Sequence, residues 1–316
     1  MTDRNWEYKG IFPAMQCPFK QDFSIDEANL REFTAWLMSF DGIGGLVPNG
    51  HTGEVFALTS AQRAQVTRIV ADEAAGRMPV VSGLCREGIT EACEDAVAAR
   101  DAGAAGLLVM PPHYWLRFGM SPENVIDYFD AIGKASGLDQ VVHVYPSWCK
   151  ASYSEELLHN LVKLPWVKCV KLGTREMNKY ARDIRAIREG DPSVTILTCH
   201  DEYILPSMVQ GVDGALVGFA SFIPDLITQL FACVQNGDLK TAMDIQNRVN
   251  ALKDAVYGAG EPTGDAHARM KVAMVLTGRL GSAVTQPPIS EPDAAVVEEI
   301  RHALTEAGML TQQAAE

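Results

Sequence analysis

Short apolar runs alternate along the chain with longer amphipathic stretches. Eight runs read as buried strands: 11–17 (IFPAMQC), 42–47 (GIGGLV), 79–84 (PVVSGL), 105–110 (AGLLVM), 140–145 (QVVHVY), 166–172 (WVKCVKL), 194–199 (VTILTC) and 213–218 (DGALVG). Each is short for a helix and rich in β-branched or large apolar residues. Between them, 26–40, 60–75, 89–102, 121–136 and 176–189 carry helical periodicity. Two of these stretches open on a capping signal. Thr59 with Gln62 matches a capping box, in which side chains satisfy amides that the first turn leaves unpaired. Ser121 is followed by Pro122, which suits the first helical position because its missing N–H is not needed there.

Successive runs lie roughly 20 to 35 residues apart, the length of a β-strand plus a right-handed helical crossover. An eightfold β/α alternation predicts a closed (β/α)8 TIM barrel of the α/β class. No run is followed by GxGxxG, which weighs against an open doubly wound sheet. Beyond residue 222 the strand pattern stops, and 224–236, 238–257, 264–279 and 291–307 all read as helices. The expected organisation is therefore a barrel over 10–223 that includes the catalytic site, with the last barrel helix and a C-terminal helical extension over 224–308. A polar tail, 309–316, has nothing to bury and is expected to fray.

Composition narrows the function classes. Of 316 residues 47% are apolar, enough for a large core, and the net charge of −13 disfavours nucleic-acid and anionic-membrane partners. Seven cysteines without a CxxC pair read as reduced thiols rather than a disulfide frame. The polar N-terminus does not suit a signal peptide, and no apolar run approaches the ~18 residues of a membrane span. A cytoplasmic protein acting on a small molecule is the expectation.

In such barrels the chemistry sits at the C-terminal ends of the strands. Those positions hold PNGHTGE (48–54), PPHYW (111–115), Tyr145, Lys171, CHDE (199–202) and Gly218. Only two lysines, Lys168 and Lys171, fall inside the predicted strands, where a charge is costly to bury. Three apart, they face opposite ways, and Lys171 is expected near the mouth on the face shared with Val167 and Cys169. Two readings stand at this point: a desolvated amine able to form a Schiff base, or a structural lysine paired with a carboxylate such as Glu202. Tyr145 would share its face with Val141 and His143, so that His143 reads as a hydrogen-bonded interior histidine. Tyr145 itself reads either as a core aromatic or as a proton relay beside an imine. In CHDE consecutive side chains diverge and no second cluster completes a ligand set, so no metal is expected. The glycines of DGALVG lack an accompanying cation for a phosphate site.

Taken together, GHTGE, MPPHYW, VYP, VKCVKLG, GVDGALVG and MKVAMVLTGRLGSAVTQPPISEP resemble the dihydrodipicolinate synthase / N-acetylneuraminate lyase family of class I aldolases, over about residues 10–300. The resemblance implies a TIM barrel with extra C-terminal helices and a homo-oligomer, a dimer or a tetramer of two dimers. It implies that Lys171 forms the imine with a 2-oxo acid, usually pyruvate, and that Tyr145 shuttles protons. Tyr114 corresponds to a tyrosine that in some members reaches into a neighbouring subunit's site. His51 and Thr52 match the loop that holds the oxo-acid carboxylate, with Gly53 and Leu216 as further substrate contacts. No cofactor is implied beyond the covalent lysine imine.

The departures bear on specificity. The synthase branch follows its tyrosine with Asn-x-Pro-x-Arg; this chain reads Tyr145-Pro146-Ser147-Trp148-Cys149-Lys150, and His51 replaces a hydroxyl residue. Lysine lacks the bidentate fork of arginine, which disfavours the reaction of lysine biosynthesis. Trp115, Phe118 and Trp148 suggest a more apolar mouth, or alternatively an oligomer interface. The reading is a lyase or aldolase that cleaves or condenses a 2-oxo acid with an aldehyde. The alternatives are a dehydratase or hydratase-aldolase using the same imine, and a non-catalytic 2-oxo-acid-binding or assembly protein.

Overall fold

The computed structural model describes residues 6–144, 150, 152–258 and 264–310. Seven parallel strands form one curled sheet in the order β1-β7-β6-β5-β4-β3-β2. They are β1 (Gly10–Pro13), β2 (Val81–Leu84), β3 (Gly106–Val109), β4 (Asp139–Val144), β5 (Val167–Leu172), β6 (Thr195–Thr198) and β7 (Gly214–Val217). Each falls on one of the predicted runs; β3 to β7 match to within a residue at either end, whereas β1 stops four residues before the end of run 11–17 and β2 begins two residues into run 79–84.

The eighth run, 42–47, is the exception. It makes isolated parallel bridges, Ile11↔Ile43 and Ala14↔Val47 on one side and Leu46↔Val80 on the other. Backbone hydrogen bonds continue the link, from Val47 to Pro13 O at 3.1 Å and from Val81 to Leu46 O at 2.8 Å. The segment thus joins the two edge strands without forming a regular ladder. Glycine is the reason for the irregular path. A Cβ on Gly44 would stand 2.0 Å from the Lys9 carbonyl oxygen, and one on Gly45 would stand 2.4 Å from the Phe12 ring.

Strand alternation divides the apolar residues into two layers. Phe12, Val47, Val81, Leu108, Val141, Cys169, Leu197 and Leu216 fill the interior. Their neighbours along the strands, such as Val142, Val170 and Ile196, pack outward against the helices. The expectation that Val167 shares the face of Lys171 is corrected here, because Val167 belongs to the outer layer. Gln140 pairs with Val167 but Val141 pairs with Cys169, so Lys168 is an extra residue on β5. Such a bulge resets the alternation.

The helices of the ring include α1 (Glu27–Met38), α2 (Ser60–Ala74), α3 (Ile89–Asp101), α5 (Pro122–Ser136), α6 (Glu155–Leu161), α7 (Met177–Gly190) and α9 (Pro224–Gln235). Short helices α4 (His113–Phe118) and α8 (Ile204–Met208) follow β3 and β6. The capping box at Thr59 and Gln62 is formed, and Pro122 opens α5 behind the Ser121 cap. Helices α10 (Leu239–Tyr257), α11 (Ala266–Leu276) and α12 (Ala294–Glu306) make the C-terminal extension. Met309 and Leu310, at the start of the predicted tail, pack against the outer cluster, and the rest of the tail lies outside the described residues. No described helix is long and apolar enough to cross a membrane. The cysteines among the described residues are all free.

Candidate active site

Lys171 is the penultimate residue of β5, buried inside the mouth of the barrel with 9% of its surface exposed. The chain places it there because the β5 alternation after the bulge sends Cys169 and Lys171 inward together. On the flanking strands its Cα partners are His143 and Leu197. The carboxylate suggested as a structural partner is engaged elsewhere: Glu202 Oε1 accepts from Arg175 at 2.8 Å. Lys168 is exposed.

Imidazoles crowd this end of the barrel. The His51 and His143 rings lie 5.7 Å apart, and His143 Nε2 is 3.5 Å from the Cys199 thiol. Lys171 is within hydrogen-bond reach of the same thiol, which burial pushes up so that it stays protonated. Burial pulls His51 and His143 well below their usual range, and the Lys171 charge acts in the same direction on both. His267 falls to about 4 for the same two reasons. His200 also falls to about 4, through burial and then the Arg175 charge, and its Nε2 meets the Gly173 carbonyl oxygen at 2.9 Å. The imidazoles around the lysine are therefore neutral at physiological pH, able to accept one hydrogen bond and donate another.

The PNGHTGE turn covers one side of this chamber. Asn49 anchors its start at φ +59°, with Nδ2 donating to Arg63 O, Thr67 Oγ1 and Ser82 Oγ at 2.9–3.1 Å. Gly53 donates its amide to Gly50 O at 3.1 Å, so that amide is spent within the turn. A Cβ on Gly53 would stand 2.9 Å from Met15 O, which makes this glycine a matter of space. Thr52 is buried, and among the described residues neither its amide nor its hydroxyl finds a partner in the chain. Its Oγ1 faces Gly218, 3.6 Å from where a Cβ there would sit. Beyond Gly218 stands the Tyr257 hydroxyl, contributed by the C-terminal extension.

The structure thus gathers Lys171, His51 and Thr52 at one mouth. It does not bring the Leu216 side chain into open space, because that residue is fully buried in the interior apolar layer below. Tyr114 lies on α4, 41% exposed on the outer surface, with its amide donating to Glu87 Oε2 at 3.2 Å. Tyr145 and Trp148 lie outside the described residues. Trp115 corrects an expectation: it is 2% exposed and packs edge-on against Tyr128 in the outer core, so it does not line the mouth. Phe118 is 69% exposed.

Sequence reasoning passed over His267 and Tyr257, and it read CHDE only as a possible ligand cluster or a source of a partner for Lys171, without singling out Asp201. Within CHDE, Asp201 is buried and accepts from the Phe219 amide at 3.0 Å; burial, then the Glu202 charge, raises its carboxyl to about 7. The only signal in the sequence was a carboxylate directly after a strand. Among the described residues no group of three or more His, Cys, Asp or Glu side chains is arranged to hold a metal ion.

Comparison with known proteins bears on this geometry. The sequence profile of the Dihydrodipicolinate synthetase family matches residues 7–307. A 4-hydroxy-tetrahydrodipicolinate synthase of Nitrobacter hamburgensis is 30% identical over 306 residues, covering 96% of this chain and 98% of the relative. One from Rhodopseudomonas palustris is 30% identical over 305 residues, with 96% and 98% covered. Among solved structures, YagE, a prophage protein from E. coli K12 in complex with pyruvate, superposes with a TM-score of 0.86 at 23% identity, covering 96% of this chain and 99% of that one. CdNal from Clostridium difficile in complex with mannosamine gives 0.84 at 20% identity, with 95% and 99% covered. At these identities the structures speak for the fold, a TIM barrel.

Proposed function

The chain belongs to the dihydrodipicolinate synthetase family, and from that premise we propose that it is a Schiff-base lyase in which Lys171 forms an imine with a 2-oxo acid, pyruvate being the donor half. The observation that carries this reading is a lysine buried at the end of a barrel strand, among neutral imidazoles and with no carboxylate paired to it among the described residues.

The chemistry follows from that setting. The free amine adds to the C2 carbonyl, and loss of water gives a protonated imine. That imine withdraws electrons, so the C3–C4 bond breaks to leave an enamine and an aldehyde. Protonation at C3 and hydrolysis release pyruvate, and the reverse sequence is aldol condensation. Thr52 holds the oxo-acid carboxylate through its amide and hydroxyl, and an anion suits such a donor pair. Tyr145 moves the protons, with His51 as a neutral hydrogen-bond partner. The replacement of the Asn-x-Pro-x-Arg segment supports an acceptor different from that of lysine biosynthesis. The organisation into a barrel over 10–223 and a helical extension over 224–308 fits a site completed by Tyr257 and His267. A homodimer or tetramer is supported by the exposed Phe56, Tyr114 and Phe118, with Tyr114 reaching a neighbouring subunit. Free cysteines suit a reducing, cytoplasmic setting.

The test is borohydride reduction in the presence of pyruvate, followed by peptide mass mapping. An adduct on Lys171, absent from Lys171→Ala, is expected. No adduct with pyruvate or related 2-oxo acids would remove the imine chemistry and leave only a binding role. Product analysis with 4-hydroxy-2-oxo acids then separates carbon–carbon cleavage from dehydration, which uses the same imine to expel hydroxide.

A further inference from the structure

The turn that carries Thr52 ends in a buried charge. Glu54, two residues on, is 3% exposed and holds φ at +58°, an uncommon backbone state for a residue with a side chain. Both of its carboxylate oxygens are occupied. Oε1 accepts from Lys271 Nζ at 2.5 Å, and Oε2 accepts from the Gln286 amide at 2.7 Å. Lys271, on α11, is fully buried; it also donates to Val284 O at 2.9 Å and stands 4.2 Å from the Phe19 ring centroid. Gln286 is itself fastened to Phe23 O at 2.7 Å. These bonds tie the turn to the C-terminal extension, 217 residues away in sequence.

A buried ion pair is a weak stabiliser, because desolvating two charges cancels much of their attraction. What it supplies is geometry. With both oxygens fixed the carboxylate cannot rotate, and the turn is clamped at both ends, by Asn49 to α2 and β2 and by Glu54 to α11. Thr52 sits between the clamps. We propose that the Glu54–Lys271 pair is a positioning device for the oxo-acid carboxylate, through which the C-terminal extension sets how tightly the mouth holds its substrate. The inference rests on the imine reading above and adds the pair that shapes its carboxylate cradle.

The test compares two carbonyl compounds in borohydride trapping on the full-length protein: pyruvate, and methyl pyruvate, which lacks the carboxylate charge. Two variants are used. Glu54→Asp keeps the charge but withdraws the anchor by one methylene; the Glu54→Gln/Lys271→Met double variant removes both charges without leaving one unpaired. In each, the half-saturating concentration of pyruvate is expected to rise about tenfold, with the maximal rate within about threefold and methyl pyruvate trapping unchanged within about twofold. Folded variants with unchanged pyruvate half-saturation, or with equal losses for both compounds, would overturn the positioning role. So would a failure of both variants to fold, which would make the pair structural. If the unaltered protein traps neither compound, the imine reading falls first and this inference goes with it. An adduct in the unaltered protein with unchanged variants removes the positioning role alone.

Discussion

Replacing Asp201 by asparagine tests whether the mouth of the barrel stores an uncompensated carboxylate. Asp201 is 7% exposed, and its carboxyl rises from 3.8 to about 7, first through burial and then through the Glu202 charge; the Phe219 amide and Lys171 oppose the shift. A shift of about three units corresponds to an upper limit of about 4 kcal/mol between the two protonation states. Relaxation and water penetration around buried groups bring the measurable figure to about 2–4 kcal/mol. The sign follows from linkage. The folded protein holds this proton more tightly than the unfolded chain, so the stabilisation is complete below about pH 4 and is lost as the pH rises through about 7. The asparagine side chain has no proton to lose, and its amide oxygen can still accept from Phe219. The neutral histidines act in the opposite direction, costing stability as the pH falls, but they are common to both proteins and cancel in the difference. Urea unfolding of both proteins from pH 4 to 8.5 is the assay. Stability of the unaltered protein relative to Asp201→Asn should fall by about 2–4 kcal/mol across that range. A difference constant within ~0.5 kcal/mol would refute the reasoning.

Two further outcomes are expected. Thr52→Val removes a hydroxyl without a partner among the described residues, so stability should change little, while KM for the oxo acid rises about five- to tenfold at nearly constant kcat; unchanged steady-state kinetics would take Thr52 out of the cradle. In Gly133→Ala the added Cβ would stand 2.1 Å from the Trp166 ring, which its indole N–H fixes on Asp130 at 3.1 Å. Overpacking of about 3 kcal/mol should outweigh the roughly 1 kcal/mol that alanine gains in a helix, and denaturant unfolding that shows equal or higher stability would contradict this.

Much of the scaffold was legible because period and punctuation act locally. Seven runs became strands, five of them within a residue of their predicted limits, and the signals at Thr59 and Ser121 became caps. Run 42–47 has the apolar content of a strand, but its glycines answer to Lys9 and Phe12, contacts that its own residues do not announce. Val167 was misplaced for a related reason, since a bulge at Lys168 is a property of the pair β4–β5 and not of β5 alone. Trp115 was read beside its neighbours in PPHYW, whereas the turn of α4 directs it into the core against Tyr128. At the site, Lys171 and the PNGHTGE turn stood out because their residue types are unusual where they occur. His267 and Tyr257 did not, because they come from helices that a barrel does not require. Lys271 did leave a trace, a charge beside Arg269 in an otherwise largely apolar α11, but its partner lay 217 residues earlier.

The glycine-built seam between β1 and β2 separates what can vary in this enzyme from what cannot. Gly44 and Gly45 admit no side chain, so the wall behind the mouth offers no room for diversification. The turn that leaves it is clamped at Asn49 and Glu54, yet His51 between those clamps is half-buried and faces the chamber. Exchanges at that single position alter what the mouth presents while the wall and both clamps stay as they are. Under the proposed function, an exchange at position 51 would change specificity without rebuilding the barrel.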